Sequence, residues 1–285
     1  MKIGITGYNG FIGGSVAKAL SQQNHEVISL DVYTRFDQPD KFDSKDFLNL
    51  DWVLHFGAST SIQASFSDPY FTYHNNLNAT LLALKIAHCS QAAFLFMSSY
   101  VYGIPQYLPI DENHPVSYVN PYMASKVASE TICQQLSEIF NLPLVILRGF
   151  NIYGNQKIPG RLISHLLDAI QQGGSITLND PDPKRDYLYI KDFYTLIFKI
   201  IRQNPLPTGI YNVGYGQSYS NLEVAEIARA LSDKNISIII QSHPRPNDIL
   251  DCTANVNLIK KTFYWSPVYT LQQGLKELIT MRTIK

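Results

Sequence analysis

The chain has little of what marks secreted, membrane-bound or nucleic-acid-binding proteins. Its three cysteines, Cys89, Cys133 and Cys252, are odd in number and far apart. That argues against a disulfide framework and suits reduced thiols in a cytoplasmic protein. No apolar run approaches the ~20 residues that span a bilayer. The first residues read directly as a strand, without the basic, apolar and small-residue zones of a signal peptide. Lys plus Arg and Asp plus Glu balance at 23 each and are scattered, so no field draws the chain to nucleic acid or an anionic membrane. Seven histidines form no HxxxH or Cys/His cluster, which leaves a metal site without support. What remains is a chain of 285 residues, long enough to bury a large core and to form about two domains.

Glycines are present where they carry meaning. Gly7 and Gly10 follow the apolar run Ile3–Thr6, and Gly13 lies at the opening of the helical pattern of Ile12, Val16, Ala19 and Leu20. A strand, a tight glycine turn and a helix opening make a dinucleotide clamp, since a pyrophosphate needs backbone N–H groups and a helix N-terminus at close range. The turn offers Gly7, Asn9, Gly10, Phe11, Ile12 and Gly13 as cofactor contacts. A second strand, 27–30, ends at Asp31, whose carboxylate suits ribose hydroxyls and favours NAD. Arg35 close behind suits a 2′-phosphate, so NADP stays open.

Further strands read at 51–56, 93–97 and 144–148, with helices around 75–87 and 122–140 between them. Short, nearly continuous apolar strands alternating with helices specify an α/β fold, a Rossmann-type doubly wound parallel sheet covered on both faces. Residues 1–152 form this dinucleotide-binding domain. Residues 153–285 form a smaller C-terminal, substrate-binding domain, with Tyr211–Gly214 returning towards the main sheet. Ligands in such sheets bind beyond the carboxyl ends of the strands. Asp31, Ser59, Ser98 and Asn151 all lie at such ends.

The chemistry points to Tyr122 and Lys126, four residues apart and so on one helix face. A phenol of ordinary pKa about 10 is a poor base at neutral pH. A nearby ammonium and the positive ring of an oxidised nicotinamide both favour its phenolate. Ser98, just past a strand end, is placed to hydrogen-bond the oxygen whose carbon exchanges hydride.

These residues sit in ordered blocks: TGYNGFIG (6–13), HFGAS (55–59), SSYVYG (98–103), YMASK (122–126), LRGFNIYG (147–154), RDYLYIKD (185–192), YNVG (211–214) and RPND (245–248). Together they resemble the extended short-chain dehydrogenase/reductases, specifically the nucleotide-sugar epimerase/dehydratase group. The resemblance implies Ser98, Tyr122 and Lys126 as catalytic, the serine being the one four residues before Tyr102. It implies cofactor contacts at Phe56, Gly57, Ala58 and Asn76. Asn151, Arg185 and Arg245, with Ser98, would hold a nucleotide-diphosphate sugar, and the chain would pair as a homodimer through a four-helix bundle.

Two departures narrow the reading. Related 4,6-dehydratases place an acidic pair after the catalytic hydroxyl, where this chain has Ser99 and Tyr100, so dehydration is disfavoured. Only residues 32–54 separate Asp31 from His55, which trims the adenine side of the pocket; Asp37 and Asp43 are both candidates to serve it. A UDP-glucose 4-epimerase-like enzyme is the expected function. An NAD(P)H-dependent 4-keto-6-deoxy nucleotide-sugar reductase is the alternative, and a non-catalytic cofactor sensor stands behind both.

Overall fold

The computed structural model describes residues 1–31, 49–155, 160–241, 243 and 248–283. In chain order the first part runs β1 (Lys2–Thr6), α1 (Phe11–Gln22), β2 (Glu26–Ser29), β3 (Trp52–His55), α2 (Ile62–Ser67), α3 (Pro69–Ser90), β4 (Ala93–Ser99), α4 (Pro121–Phe140) and β5 (Leu144–Gly149). The second part runs β6 (Asn151–Tyr153), α5 (Leu162–Gln172), β7 (Gly174–Leu178), β8 (Lys184–Tyr189), α6 (Ile190–Ile201), β9 (Gly209–Val213), β10 (Ser218–Ser220), α7 (Asn221–Ala230), β11 (Ile236–Ile240), α8 (Asn257–Phe263) and α9 (Leu271–Thr283).

A six-stranded, wholly parallel sheet in the order β2-β1-β3-β4-β5-β9 organises the molecule. Its strands are apolar on both faces because both are covered. Val53, Phe94, Phe96, Leu144 and Ile146 cluster with α3 and α4. Ile3, Ile5, Leu54, Leu95, Val145 and Leu147, one residue out of step, cluster with α1 and α6. β9 joins beside β5, as Tyr211–Gly214 suggested. The remaining strands form a small sheet, β10-β8-β6, whose β6 follows directly from the carboxyl end of β5, and the parallel pair β11-β7.

Helix α3 is longer than its apolar pattern indicated. Asp68 caps it by accepting from Phe71 N–H at 2.9 Å, and Pro69 occupies its first turn. Proline is well suited there, where the missing N–H has no helical partner. Among the described residues no helix is long and apolar enough to cross a membrane.

Candidate active site

The turn after β1 is shaped for the close approach of an anion. Gly7 has φ +66°, and a Cβ there would stand 2.8 Å from the backbone nitrogen of Gly57. A Cβ on Gly13 would collide with the Gly7 carbonyl oxygen. Both positions therefore require glycine. Helix α1 begins at Phe11 with Gly10 as its N-cap and no side-chain cap, so its first N–H groups and dipole are available to a phosphate. Asp31, just past β2, accepts from the N–H groups of Gly7 at 2.5 Å, Tyr8 at 3.2 Å and Asn9 at 3.3 Å. It braces the turn from below. Its second oxygen, held only at long range by Asn9, keeps lone pairs for a hydroxyl. Phe56, Gly57 and Ala58 leave β3 alongside Gly7, with Phe56 edge-on to Phe193 at 6.1 Å. A dinucleotide fits this cradle. Arg35, Asp37 and Asp43 lie outside the described residues.

Below the cradle, His55 is sealed between two threonines. Gly57 N–H donates to Thr6 Oγ1 at 3.0 Å, and Thr6 Oγ1 lies 2.6 Å from His55 Nδ1. His55 Nε2 lies 3.1 Å from Thr80 Oγ1, which donates to the Asn76 carbonyl at 2.8 Å. With Thr80's proton so engaged, the network assigns hydrogen to Nε2 and leaves Nδ1 accepting from Thr6. Burial, and then the Lys126 charge, pushes this imidazole down to about 3. The unfolded chain takes up a proton near 6.5 that the fold refuses until about 3, so stability falls with pH through that window. Buried Asp186, raised to about 6, acts in the opposite sense between 3.8 and 6. Comparison with His55→Gln cancels that effect. The stability margin of wild type over this variant, read by urea denaturation, is expected to shrink from pH 7 to pH 4 by up to ~1.4 kcal/mol per unit. A margin independent of pH would mean the folded imidazole takes up its proton at the same pH as in the unfolded chain.

At the end of β4, adjacent residues turn to opposite sides. Ser98 follows Phe94 and Phe96 towards α4, where its hydroxyl donates to Glu130. Ser99, next along, hydrogen-bonds the phenol of Tyr122. The family resemblance gives Ser98 as the hydroxyl at the reacting centre. Ser98 is 4% exposed and engaged beneath the site, and the serine beside Tyr122 is Ser99. Tyr122 and Lys126 share the buried face of α4, whose start is fixed by Asn120 accepting from Met123 N–H at 2.8 Å. Burial raises the Tyr122 phenol, while the Ser99 bond and then the Arg161 charge pull it down. Its counterweights are thus Ser99 and Arg161, where the sequence had suggested the Lys126 ammonium. Lys126 is itself pushed down to about 8 by burial, against Cys133 and Glu130. Its Nζ lies 4.2 Å from the centre of the Phe96 ring, a favourable seat for a cation.

Asn76 is anchored at both ends of its amide. Its Oδ1 accepts from Ser59 N–H at 2.7 Å, and its Nδ2 reaches the Ser59 carbonyl at 3.2 Å and Ser125 Oγ at 2.9 Å. With both ends engaged, it ties the loop after β3 to α4. Asn75, half-buried with Nδ2 on Ser59 Oγ at 3.0 Å, is the amide nearer solvent.

Across the crevice, Asn151 on β6 stands opposite Tyr187 on β8. Arg185, two residues before Tyr187, donates to Asp248 Oδ1 at 2.7 Å and to the carbonyls of Ile249 at 2.5 Å and Lys184 at 2.8 Å. The charge of Arg185 acts on both Tyr187 and Tyr100, and that of Arg161 on both Tyr187 and Tyr122. Arg161 and Arg185 thus stand within electrostatic reach of Tyr122, Tyr100 and Tyr187. Arg245 lies outside the described residues. Among the described residues no group of three His, Cys, Asp or Glu could hold a metal.

A model of the NAD dependent epimerase/dehydratase family matches residues 3–214. The chain belongs to this family. As an epimerase/dehydratase family enzyme, it is 25% identical over 306 residues to the putative UDP-glucose 4-epimerase of Methanocaldococcus jannaschii, covering 96% of each chain. Among solved structures it resembles the UDP-glucose 4-epimerase of Bifidobacterium longum, in complex with NAD+ and UDP. That match has 25% identity and TM-score 0.83, and covers 100% of this chain and 99% of that one. RMD of Pseudomonas aeruginosa, complexed with NADPH, shares the fold at TM-score 0.86 and 23% identity, covering 99% of each chain.

Three residues beside Tyr122 and Arg185 carry no sequence signal of their own. Ser99 was hidden by the SS pair, which only strand alternation resolves. Arg161, just after Gly160, carried no motif. Asp248 lay in view in the RPND block, but its pairing with Arg185 spans 63 residues.

Proposed function

We propose that the chain is an NAD-dependent nucleotide-sugar 4-epimerase of the UDP-glucose 4-epimerase kind. The contact that carries this reading is Tyr122 with Ser99, set over Lys126 beside the NAD cradle and free of a carboxyl group at positions 99 and 100. The nicotinamide, when bound, accepts and returns the hydride, and its positive ring adds to the pull on the phenol. Tyr122 takes the proton of the sugar hydroxyl and later gives it back. Ser99 hydrogen-bonds that oxygen as it becomes a carbonyl, and Lys126 supplies positive charge below. Asn151, Arg185 and Arg245 bind the nucleotide diphosphate, because guanidinium forks match phosphate oxygens. Residues 1–152 chiefly hold NAD and 153–285 chiefly the sugar nucleotide. The apolar stripes of α3 and α4 pack on the sheet, so a homodimer would pair through the outer faces of these helices, where Leu81 and Ile139 are exposed.

A second reading, reduction of a 4-keto-6-deoxy sugar nucleotide with exchangeable NAD(P)H, is favoured by Arg35 and the short 32–54 segment. The cofactor released by denaturing freshly purified protein separates the two. Stoichiometric NAD that survives dialysis, with interconversion of UDP-hexoses, is the expected result. A site empty on purification that fills reversibly with NADPH would overturn epimerisation in favour of reduction.

A further inference from the structure

One turn beyond Lys126, the same face of α4 carries Glu130, 3% exposed. Arg148 of β5 grips its carboxylate in a fork. Nε lies 3.1 and 3.2 Å from the two oxygens, and Nη2 lies 2.7 Å from Oε2. The Ser98 hydroxyl donates to the same carboxylate. Arg148 Nη1 reaches the Tyr102 hydroxyl at 3.2 Å, Tyr102 donates to Asn212 Oδ1 at 2.5 Å, and Asn212 Nδ2 donates to the Ile110 carbonyl at 2.9 Å. Ser98, Arg148 and Asn212 stand in register on β4, β5 and β9, so three strands present one polar row beneath the catalytic helix. Packing alone does not call for charge there, since buried ion pairs are often replaceable by apolar groups of the same volume without loss of stability.

We propose that Glu130 and Arg148 are positioning residues for the acid–base pair. Gripped by β5 and Ser98, Glu130 fixes α4 over the end of β4 so that Tyr122 meets Ser99, and it keeps a negative charge one helical turn from Lys126. Other elements offer Lys126 no competing carboxylate among the described residues. β3 contributes His55, held neutral by burial, and β4 contributes the Phe96 ring face. From α4 come Tyr122 and the buried thiol of Cys133, and α3 meets α4 through Asn76 and Thr80, neither of which titrates. The consequence for turnover rests on the epimerase reading. The consequence for the Lys126 charge does not.

The test is therefore made on the cofactor-free protein first. The Lys126 titration is followed by 13Cε NMR, its signal assigned by loss in Lys126→Met. Glu130→Gln, which keeps the shape and removes the charge, is expected to move this titration down by at least half a pH unit. Arg148→Met, which leaves the carboxylate unbalanced, is expected to move it up. Should either variant fail to fold, Glu130→Asp, which keeps the charge but retracts it, is expected to give a smaller downward shift. With the sugar nucleotide, Glu130→Gln is expected to lower kcat by 10- to 100-fold with KM within threefold. A Lys126 titration within 0.2 units of wild type in every folded variant would overturn the proposal. A titration that shifts as expected in a protein that turns over no sugar nucleotide would overturn the epimerase reading and leave the positioning role standing.

Discussion

Tyr122→Phe is expected to lower kcat at least a hundredfold while leaving KM for the sugar nucleotide within about threefold, because only the proton transfer is lost. The ring remains, so the 9% exposed seat at the start of α4 keeps its packing. The informative companion is the serine pair. Ser99→Ala removes the hydrogen bond that favours the phenolate and is expected to cost kcat roughly 10- to 100-fold, moving the acid limb of its pH profile upward. Ser98→Ala removes one of several donors to Glu130 and is expected to change kcat less than fivefold, with a modest loss of stability of ~1 kcal/mol. Steady-state kinetics of the three variants at matched pH decide the assignment. If Ser98→Ala proves as damaging as Tyr122→Phe and Ser99→Ala is silent, the reacting oxygen lies on the other side of β4, beside Ser98.

The contrast between these serines shows what the sequence could and could not carry. The glycine turn was legible because each of its requirements is local: a positive φ at Gly7, and no room for a side chain at Gly13. Tyr122 and Lys126 were legible because helical spacing alone puts positions i and i+4 on one face. The parallel sheet followed from strands apolar on both faces. Ser98 and Ser99 differ only in which way a strand end turns them, and counting back from Tyr102 does not measure that direction. Asn76 is a related case. Its neighbour Asn75 is chemically identical, and only the pairing of Asn76 with Ser59 and with Ser125, 49 residues away, distinguishes the buried anchor from the amide near solvent. Long-range polar pairs such as Glu130 with Arg148 or Arg185 with Asp248 leave no periodic trace at all. They were in view as residues and absent as contacts.

The largest effect on the cofactor is expected from Gly13→Ala. The added methyl would collide with the Gly7 carbonyl, which is backbone and cannot swing aside as a side-chain end would. Nor is the turn free to retreat. The Gly7 carbonyl accepts from Gly10 N–H at 2.9 Å, its own N–H is held by Asp31 at 2.5 Å, and its α-carbon face rests on Gly57. Helix α1 must therefore move away from the turn, at an overpacking cost of ~1–3 kcal/mol. That same shift carries the helix N-terminus off the pyrophosphate. Losing two charge-assisted hydrogen bonds at ~1.5–3 kcal/mol each lowers NAD affinity at least a hundredfold. NAD titration followed by protein fluorescence, set beside urea denaturation of the free protein, separates the two effects. Affinity is expected to fall far more than stability, because the cradle loses its geometry while the core around Val16 and Leu20 keeps its contacts. An NAD Kd within threefold of wild type would show that the pyrophosphate does not rest on the start of α1, and the cofactor would have to be sought elsewhere along the sheet edge.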